Sequence, residues 1–424
     1  MKNFLSVYTQ PRIWTILFLG FVSGLPLALT ASTLGAWLSE VHIDKTSIGL
    51  FAAIGLPYSL KFLWAPLMDA LPCPVFSKLL GCRRGWILAI QIVLVLAIMG
   101  MGSANPADGV QVTACWALLV AFLSASQDIV IDAYRVEILD KEQYGAGAAA
   151  VQYGYRLGML ASGAGALALA YHVSWQMTYT IMAALMGIGM VTVLLSSEPA
   201  VNEAILKEEE ENLDKPSWLR KTVIEPFADF MTRRDWWMIL LFIMLYKLGD
   251  AFLGVMTNPF LLEIGFTKTQ IAEVVKSFGL VATLVGLFLG GVMIERLGTV
   301  YTLWICGIGH ALTNLMFLMQ AKTGADMHVL MLGITLENLS GGMTAAAFVA
   351  FLSGLCHVHY TATQYALLSS LAAVGRTWLT TTAGWTSEHF GWEMFFIVSV
   401  VLALPGLFTL WLLTRRTSLE EPVH

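Results

Sequence analysis

Gly85-Trp-Ile-Leu-Ala-Ile-Gln-Ile-Val-Leu-Val-Leu-Ala-Ile-Met-Gly-Met101 runs for almost a full helical span with Gln91 as its one polar side chain and no charge. A strand of a transmembrane barrel must alternate, because every second residue faces a polar lumen, and this run does not alternate. With its neighbours it is long enough to cross a ~30 Å hydrocarbon core as a helix. Leu402 to Leu413 makes the same point near the far end of the chain. Further runs lie between them, and the spans fall at approximately 13–38, 48–68, 86–103, 112–134, 147–170 and 175–196, then 236–256, 271–294, 300–320, 327–354, 362–386 and 391–413. Of the 424 residues 57% are hydrophobic and 12% charged, with mean hydropathy +0.71. An ordinary soluble chain carries about 25% charged residues. The expectation is an all-α integral membrane protein with twelve transmembrane helices in two six-helix bundles.

The break between the two sets of six defines the domains: a bundle over 1–196, a linker over 197–235 and a second bundle over 236–424. Lys207-Glu208-Glu209-Glu210-Glu211 and Lys215-Pro216 mark the linker as solvated. The first run, Ile13 to Leu38, outlasts the apolar core of a signal peptide and reads as the first span. Basic residues in short loops set orientation. With the N-terminus inside, the cytoplasmic segments hold sixteen of the 24 Lys and Arg, and the other side holds Lys45, Lys268 and Lys322 alone. Both termini and the linker are therefore expected in the cytoplasm. Two ordered matches relate the halves: Asp44-Lys45-Thr46-Ser47-Ile48 resembles Thr267-Lys268-Thr269-Gln270-Ile271, and His172, Trp175 and Met177 resemble His389, Trp392 and Met394. Such matches are what a parallel duplication leaves behind.

A net charge of −5 with no dense basic stretch argues against nucleic acid as a partner. Five cysteines, at 73, 82, 115, 306 and 356, make neither a CxxC pair nor a His/Cys ligand set, so no disulfide framework, metal site or cofactor is expected. No Walker lysine motif, GxSxG elbow, HExxH helix or phosphorylated-aspartate motif is present, so no enzyme is expected. Secondary transport by a monomer in membrane lipid is the reading that remains.

An ionisable group inside a bilayer costs about 2.5–3.5 kcal/mol on insertion scales and so needs a partner, a cavity or a task. Ser126-Gln127-Asp128-Ile-Val-Ile-Asp132-Ala-Tyr134-Arg135-Val-Glu137 is the densest cluster. At 100° per residue Asp128, Asp132 and Arg135 share a stripe that must face the bundle interior, and Glu137 points roughly the other way. Asp132 and Arg135 either neutralise each other or serve a gate. Asp128 has no cation within four residues on its own helix and is the first candidate to carry a proton, unless a cation of another span holds it. Glu337 beside Asn338 on the tenth span occupies roughly the place of Gln127-Asp128, where it either titrates or caps a kink beside Gly341-Gly342. Arg156 and Arg376 fall in comparable places of the fifth and eleventh spans, as substrate anchors or as interhelical ion-pair partners; a guanidinium offers two parallel donors to a carboxylate. Tyr153 and Tyr155 beside Arg156 are candidates to stack on a sugar face. Lys61 either snorkels or meets substrate, and Lys247 either meets substrate or is held by Asp250. His310 reads as a core histidine more than a proton relay.

The six-plus-six pattern, with Pro66-Leu-Met-Asp69 then Gly81-Cys-Arg83-Arg84-Gly85, and Gly290-Gly-Val-Met-Ile-Glu295-Arg296-Leu-Gly298 in the second half, resembles the major facilitator superfamily. Acids and arginines there form cytoplasmic latches, which implies that role for Asp69, Arg83, Arg84, Arg135, Glu137, Glu295 and Arg296. Lys61-Phe-Leu-Trp64-Ala-Pro66-Leu-Met-Asp69, the Ser126 to Glu137 stretch and Arg84-Gly85-Trp86 are similar, more specifically, to the AmpG-type muropeptide permeases of Gram-negative inner membranes, with much of the pattern shared by the acetyl-coenzyme A transporter family. That resemblance implies proton-driven uptake of N-acetylglucosaminyl-1,6-anhydro-N-acetylmuramic acid and its peptides from periplasm to cytoplasm, serving cell-wall recycling and β-lactamase induction. Gln127, Lys61, Lys247 and Asn338 join the arginines and tyrosines as implied substrate contacts, and Asp128, Asp132 and Glu337 as implied proton carriers. A coenzyme A thioester or a siderophore is the alternative cargo.

Overall fold

A computed structural model describes residues 4–43, 51–200 and 223–416. Asp44 to Ile48 and the charged run at 207–211 lie outside the described residues. Among the described residues eight helical stretches are each long and apolar enough to cross a membrane: Pro11–Glu40, Cys82–Ser103, Val110–Ile138, Trp175–Leu195, Trp236–Glu263, Lys268–Leu297, Thr299–Thr323 and Ala383–Arg416. They supply the first, third, fourth, sixth, seventh, eighth, ninth and twelfth spans. The tenth and eleventh, Met327–Gly354 and Thr361–Leu379, reach that mark only as a pair.

Where a span departs from a straight helix the sequence supplies a reason. The second is split into Leu56–Leu60, a 3-10 turn over Lys61–Leu63, and Ala65–Ala70, with Pro57 and Pro66 each placed in a first turn where their missing N–H costs nothing. Gly391, at φ +72°, breaks the helical stretch beginning at Ala383 and marks the entry to the twelfth span. Pro26 lies inside the first span and is followed by a π turn over Leu29–Thr33. In hydrocarbon the backbone groups freed by such a turn must be met by side chains. Thr30 donates to the Pro26 carbonyl, Tyr179 of the sixth span donates to the Leu29 carbonyl at 3.1 Å, and Thr33 donates 2.6 Å to the carbonyl of Ser162. Ser162 itself sits in a second π turn, Ala161–Gly165, which joins Tyr144–Leu160 to Ala166–His172 as the fifth span.

The chain divides into two compact units. One comprises Met1–Phe227 with Leu355–Ser370, the other Ala228–Gly354 with Leu371–His424. In the first unit the first and fifth spans meet backbone to backbone: a Cβ on Gly20 or Gly24 would strike the carbonyl of Val151 or Tyr155, and one on Gly154 or Gly158 the carbonyl of Leu17 or Phe21. Small residues permit this approach, which substitutes close packing for a hydrophobic drive that lipid does not provide. In the second unit Gly286, Gly290 and Gly342 bring the eighth and tenth spans together in the same way. Its aromatic core stacks Phe252 on Phe395 and sets Phe260 against Phe396 and Trp392. Trp392 of the twelfth span on Phe260 of the seventh parallels Trp175 of the sixth on Trp37 of the first, centroids 5.5 Å apart.

Gly154→Ala should drive the first and fifth spans apart and lower thermal stability in detergent by about 1–3 kcal/mol. Gly187→Ala, which meets nothing within 4 Å, should leave the unfolding temperature within a degree of the parent, and equal melting of the two variants would remove the close contact as a source of stability.

Candidate functional site

The first unit carries a polar chain that starts at the broken second span. Ala65–Ala70 carries Asp69 next to its last residue, and after the short helix Phe76–Leu80 the backbone turns at Gly81, φ +94°, into Cys82–Ser103. Arg83, in that helix's first turn, is 2% exposed and donates from Nε and Nη2 to Glu137, from Nη2 to Asp69 at 2.7 Å, and from Nη1 to the Met68 carbonyl. One guanidinium thus serves two carboxylates whose side chains are 7% and 1% exposed. Asp69 has a second task. Its carboxylate accepts the N–H groups of Ala362 and Thr363, at 3.1 and 2.7 Å, and the Thr363 hydroxyl. An anion at a helix N-terminus meets unpaired donors and the positive end of the helix dipole, so Asp69 caps the helix Thr361–Leu379.

Glu198, just past the sixth span, accepts the backbone N–H groups of Arg83 and Arg84 at 2.8 and 3.1 Å. Burial raises its carboxyl above the usual carboxylate range, and those two backbone donors pull it back. The Arg84 guanidinium bonds the carbonyls of Val193 and Leu194 and thereby ties the third span to the end of the sixth instead of meeting an acid.

One turn along the fourth span the chain continues. Arg135, 1% exposed, lies 3.2 Å from Asp132 and stacks over the ring of Tyr365 at 5.0 Å. Lys61 is buried and reaches Asp132 at 3.8 Å. Asp128 accepts from the Ser23 hydroxyl of the first span, and among the described residues no cation lies within ion-pair distance of it. Gln127 is wholly buried and donates to the Val22 carbonyl, which places it between helices. Arg156 is exposed and Tyr153 and Tyr155 half-buried on the fifth span, apart from Asp128's hydrogen bond.

In the second unit His310 of the ninth span stands 3.2 Å from Asp250 of the seventh, and Lys247 stands 4.0 Å from the same carboxylate. Glu337 accepts from Asn338, which also donates to the Ile334 carbonyl and accepts from Thr283. Arg376 is exposed and bonds the Ala372 carbonyl of its own helix. Glu295 and Arg296 sit at the end of the eighth span, half-buried and exposed.

Helical spacing pairs Asp132 with Arg135, and the family resemblance groups Asp69, Arg83 and Glu137; the structure brings both sets together and adds Lys61 to Asp132. Sequence reasoning missed Ser23, Tyr365, Thr363 and Glu198, whose partners stand far away in sequence. It also gave His310 no partner, because Asp250 had been assigned to Lys247.

Comparison with known proteins adds the following. The family profile described as "Acetyl-coenzyme A transporter 1" matches residues 12–179, and that of the "Major Facilitator Superfamily" matches 239–423. The chain is 44% identical, over 99% of its length and 82% of the relative's, to the anhydromuropeptide permease of Escherichia coli K12. It is 38% identical to a putative transporter, AmpG 4, of Rickettsia conorii, over 97% of this chain and 99% of that one. Among solved structures it resembles the E. coli fucose:proton symporter, at TM-score 0.70 and 12% identity over 98% of this chain and 100% of that one. The human organic anion transporter MFSD10 follows, at 0.67 and 17% over 97% and 100%. At these identities the two structures speak to the fold alone.

Replacing Arg83 by Met takes the cation away from two buried carboxylates and should cost about 3–5 kcal/mol. Adding Asp69→Asn and Glu137→Gln should recover much of that loss, as measured by thermal unfolding in detergent; a triple variant no more stable than the single one would show that the three charges are not coupled.

Proposed function

Because the chain belongs to the anhydromuropeptide permease family of the major facilitator superfamily, we propose that it imports N-acetylglucosaminyl-1,6-anhydro-N-acetylmuramic acid and its peptides across a bacterial inner membrane together with protons. The observation that supports the cargo is the 44% identity over 99% of the chain with the anhydromuropeptide permease of Escherichia coli K12. The match to an acetyl-coenzyme A transporter profile stops at residue 179. Both termini face the cytoplasm in this reading, on the side where basic loop residues concentrate.

Coupling is assigned to Asp128. Its neighbour Asp132 holds Lys61 and Arg135, while Asp128 has only a hydroxyl donor. A carboxylate placed so in hydrocarbon gains from taking a proton, since neutralisation removes the cost of an uncompensated charge. Arg156 on the fifth span and Arg376 on the eleventh are the groups proposed to take the carboxylates of the cargo, each as a two-donor fork, with Tyr153 and Tyr155 against the sugars. Asp69, Arg83 and Glu137 form the gate. The cap on the helix Thr361–Leu379 lasts only while Ala362 and Thr363 stay within reach of Asp69, so it is a contact that alternating access makes and breaks.

Purified protein in proteoliposomes should accumulate labelled anhydromuropeptide when an inward proton gradient is imposed. Asp128→Asn should abolish accumulation yet keep exchange of labelled for unlabelled cargo, and Arg156→Ala should raise KM about tenfold or more, the loss of a charge-assisted pair. Uptake indifferent to the gradient would overturn the coupling, and folded protein that takes up no muropeptide would overturn the cargo.

A further inference from the structure

The second unit encloses a cavity of about 20 Å³ among Lys247, Asp250, His310, Asn314 and Thr344, and none of these residues has a part in the coupling assigned to Asp128. A space of that size holds a single water molecule. His310 and Asn314 are 5% and 1% exposed, and among the described residues the Asn314 Oδ1 has no hydrogen-bond partner. Its Nδ2 is engaged by Ser399 of the twelfth span, which leaves the unpaired oxygen as the polar edge Asn314 brings to the cavity. A buried amide oxygen left unpaired is costly unless something small and polar visits it.

The charges around the imidazole come from three spans. Asp250 lies 3.2 Å from Nε2, although the ring is not angled for a linear hydrogen bond to it. Glu337 of the tenth span places an oxygen such that it, the Asp250 oxygen and a ring nitrogen all lie within 4.8 Å of one another. Lys247 stands 4.0 Å from Asp250 on the same helix, and Arg376 of the eleventh acts on Asp250 from further off. Tyr246 spends its hydroxyl on the Leu303 carbonyl. The twelfth span adds Ser399 and Ala403, which carry no charge.

Two carboxylates face two fixed cations, so the set is close to neutral when the ring is neutral. A divalent metal would add two charges to a site that already holds a lysine. A proton adds one, on a group that two acids flank, and it delocalises over both nitrogens. We propose that His310, held between Asp250 and Glu337, is a second proton-binding site, through which the second unit titrates independently of Asp128 in the first. The cavity water bridges the ring to Asn314 and is the route by which the proton arrives. The consequence for transport rests on the proton-coupled reading above, but the site itself does not.

The test therefore needs neither cargo nor gradient. Protein labelled with ¹⁵N-histidine in lipid bilayers reports imidazolium and the two neutral tautomers by distinct ring resonances, and His310→Gln identifies which of the eight histidines is His310. If that variant does not fold, the resonance perturbed by Asp250→Asn makes the assignment. The ring should pass from imidazolium to neutral within the pH range in which the protein stays folded. Asp250→Asn should move that transition about one pH unit toward acid, since an opposite charge at this distance is worth at least that much. Glu337→Gln should move it the same way, and Asp128→Asn should not move it. In proteoliposomes His310→Gln should shift the pH profile of uptake rather than simply scale it. A ring that keeps one neutral form throughout, or a midpoint indifferent to both acids, overturns the proposal. So does a ring that Zn²⁺ alone converts to a metal-bound form at micromolar concentration, which would make the cluster a metal site. Failure here with intact gradient-driven uptake leaves the function standing, and lost uptake with an intact titration leaves this site standing.

Discussion

Arg83 is the contact on which one end of the first unit depends. A guanidinium 2% exposed can exist there only because Glu137 and Asp69 share it and the Met68 carbonyl takes a further donor. Each partner in turn draws in another element. Glu137 brings the fourth span, Asp69 the broken second span and the N-terminus of Thr361–Leu379, and the backbone of Arg83 itself brings Glu198 from beyond the sixth. Five separate stretches of chain are positioned by the need to leave no charge and no amide alone in a medium that cannot solvate it. Energy is not the whole of it. Buried ion pairs are often no more stabilising than an apolar substitute, but they fix which helices must meet.

The spans themselves could be read directly, because a run such as Gly85 to Met101 has only one stable solution in a bilayer. Their irregularities are readable in part: Pro57, Pro66 and Gly391 announce breaks by their own backbone chemistry, whereas at the π turn Ala161–Gly165 the glycines at 163 and 165 stand in a run of small residues that does not say where the helix loosens, and the Ser162 carbonyl is met by Thr33. The site divides the same way. Helical period alone set Glu137 on the opposite side from Asp132 and Arg135, and the two faces do serve different partners, Arg83 for one and the Lys61 pair for the other. Contacts such as Ser23 with Asp128, or Asp69 with Thr363 some 294 residues away, have no counterpart in local spacing. They come from packing, which a single sequence does not print.

The two units solve the same problem with different residues. Both use glycine to bring helices into backbone contact, the first on the first and fifth spans and the second on the eighth and tenth. Both set a tryptophan of their last span on an aromatic of their first. Their interior charges have diverged: acids with Lys61 and Arg135 in one, an acid and histidine with Lys247 in the other. Two units with similar packing devices thus hold unlike electrostatics in their interiors.

The glycine contacts between the first and fifth spans carry a mechanical meaning. Carbonyls of Leu17, Phe21, Val151 and Tyr155 occupy the slots where four Cβ atoms would stand, and such teeth prevent one helix from sliding along the other by anything less than a whole turn. The pair therefore behaves as a single stiff beam. Ser23, which meets Asp128, and Arg156 are both carried on this pair, while the 3-10 turn of the second span, Lys61–Leu63, lies outside it.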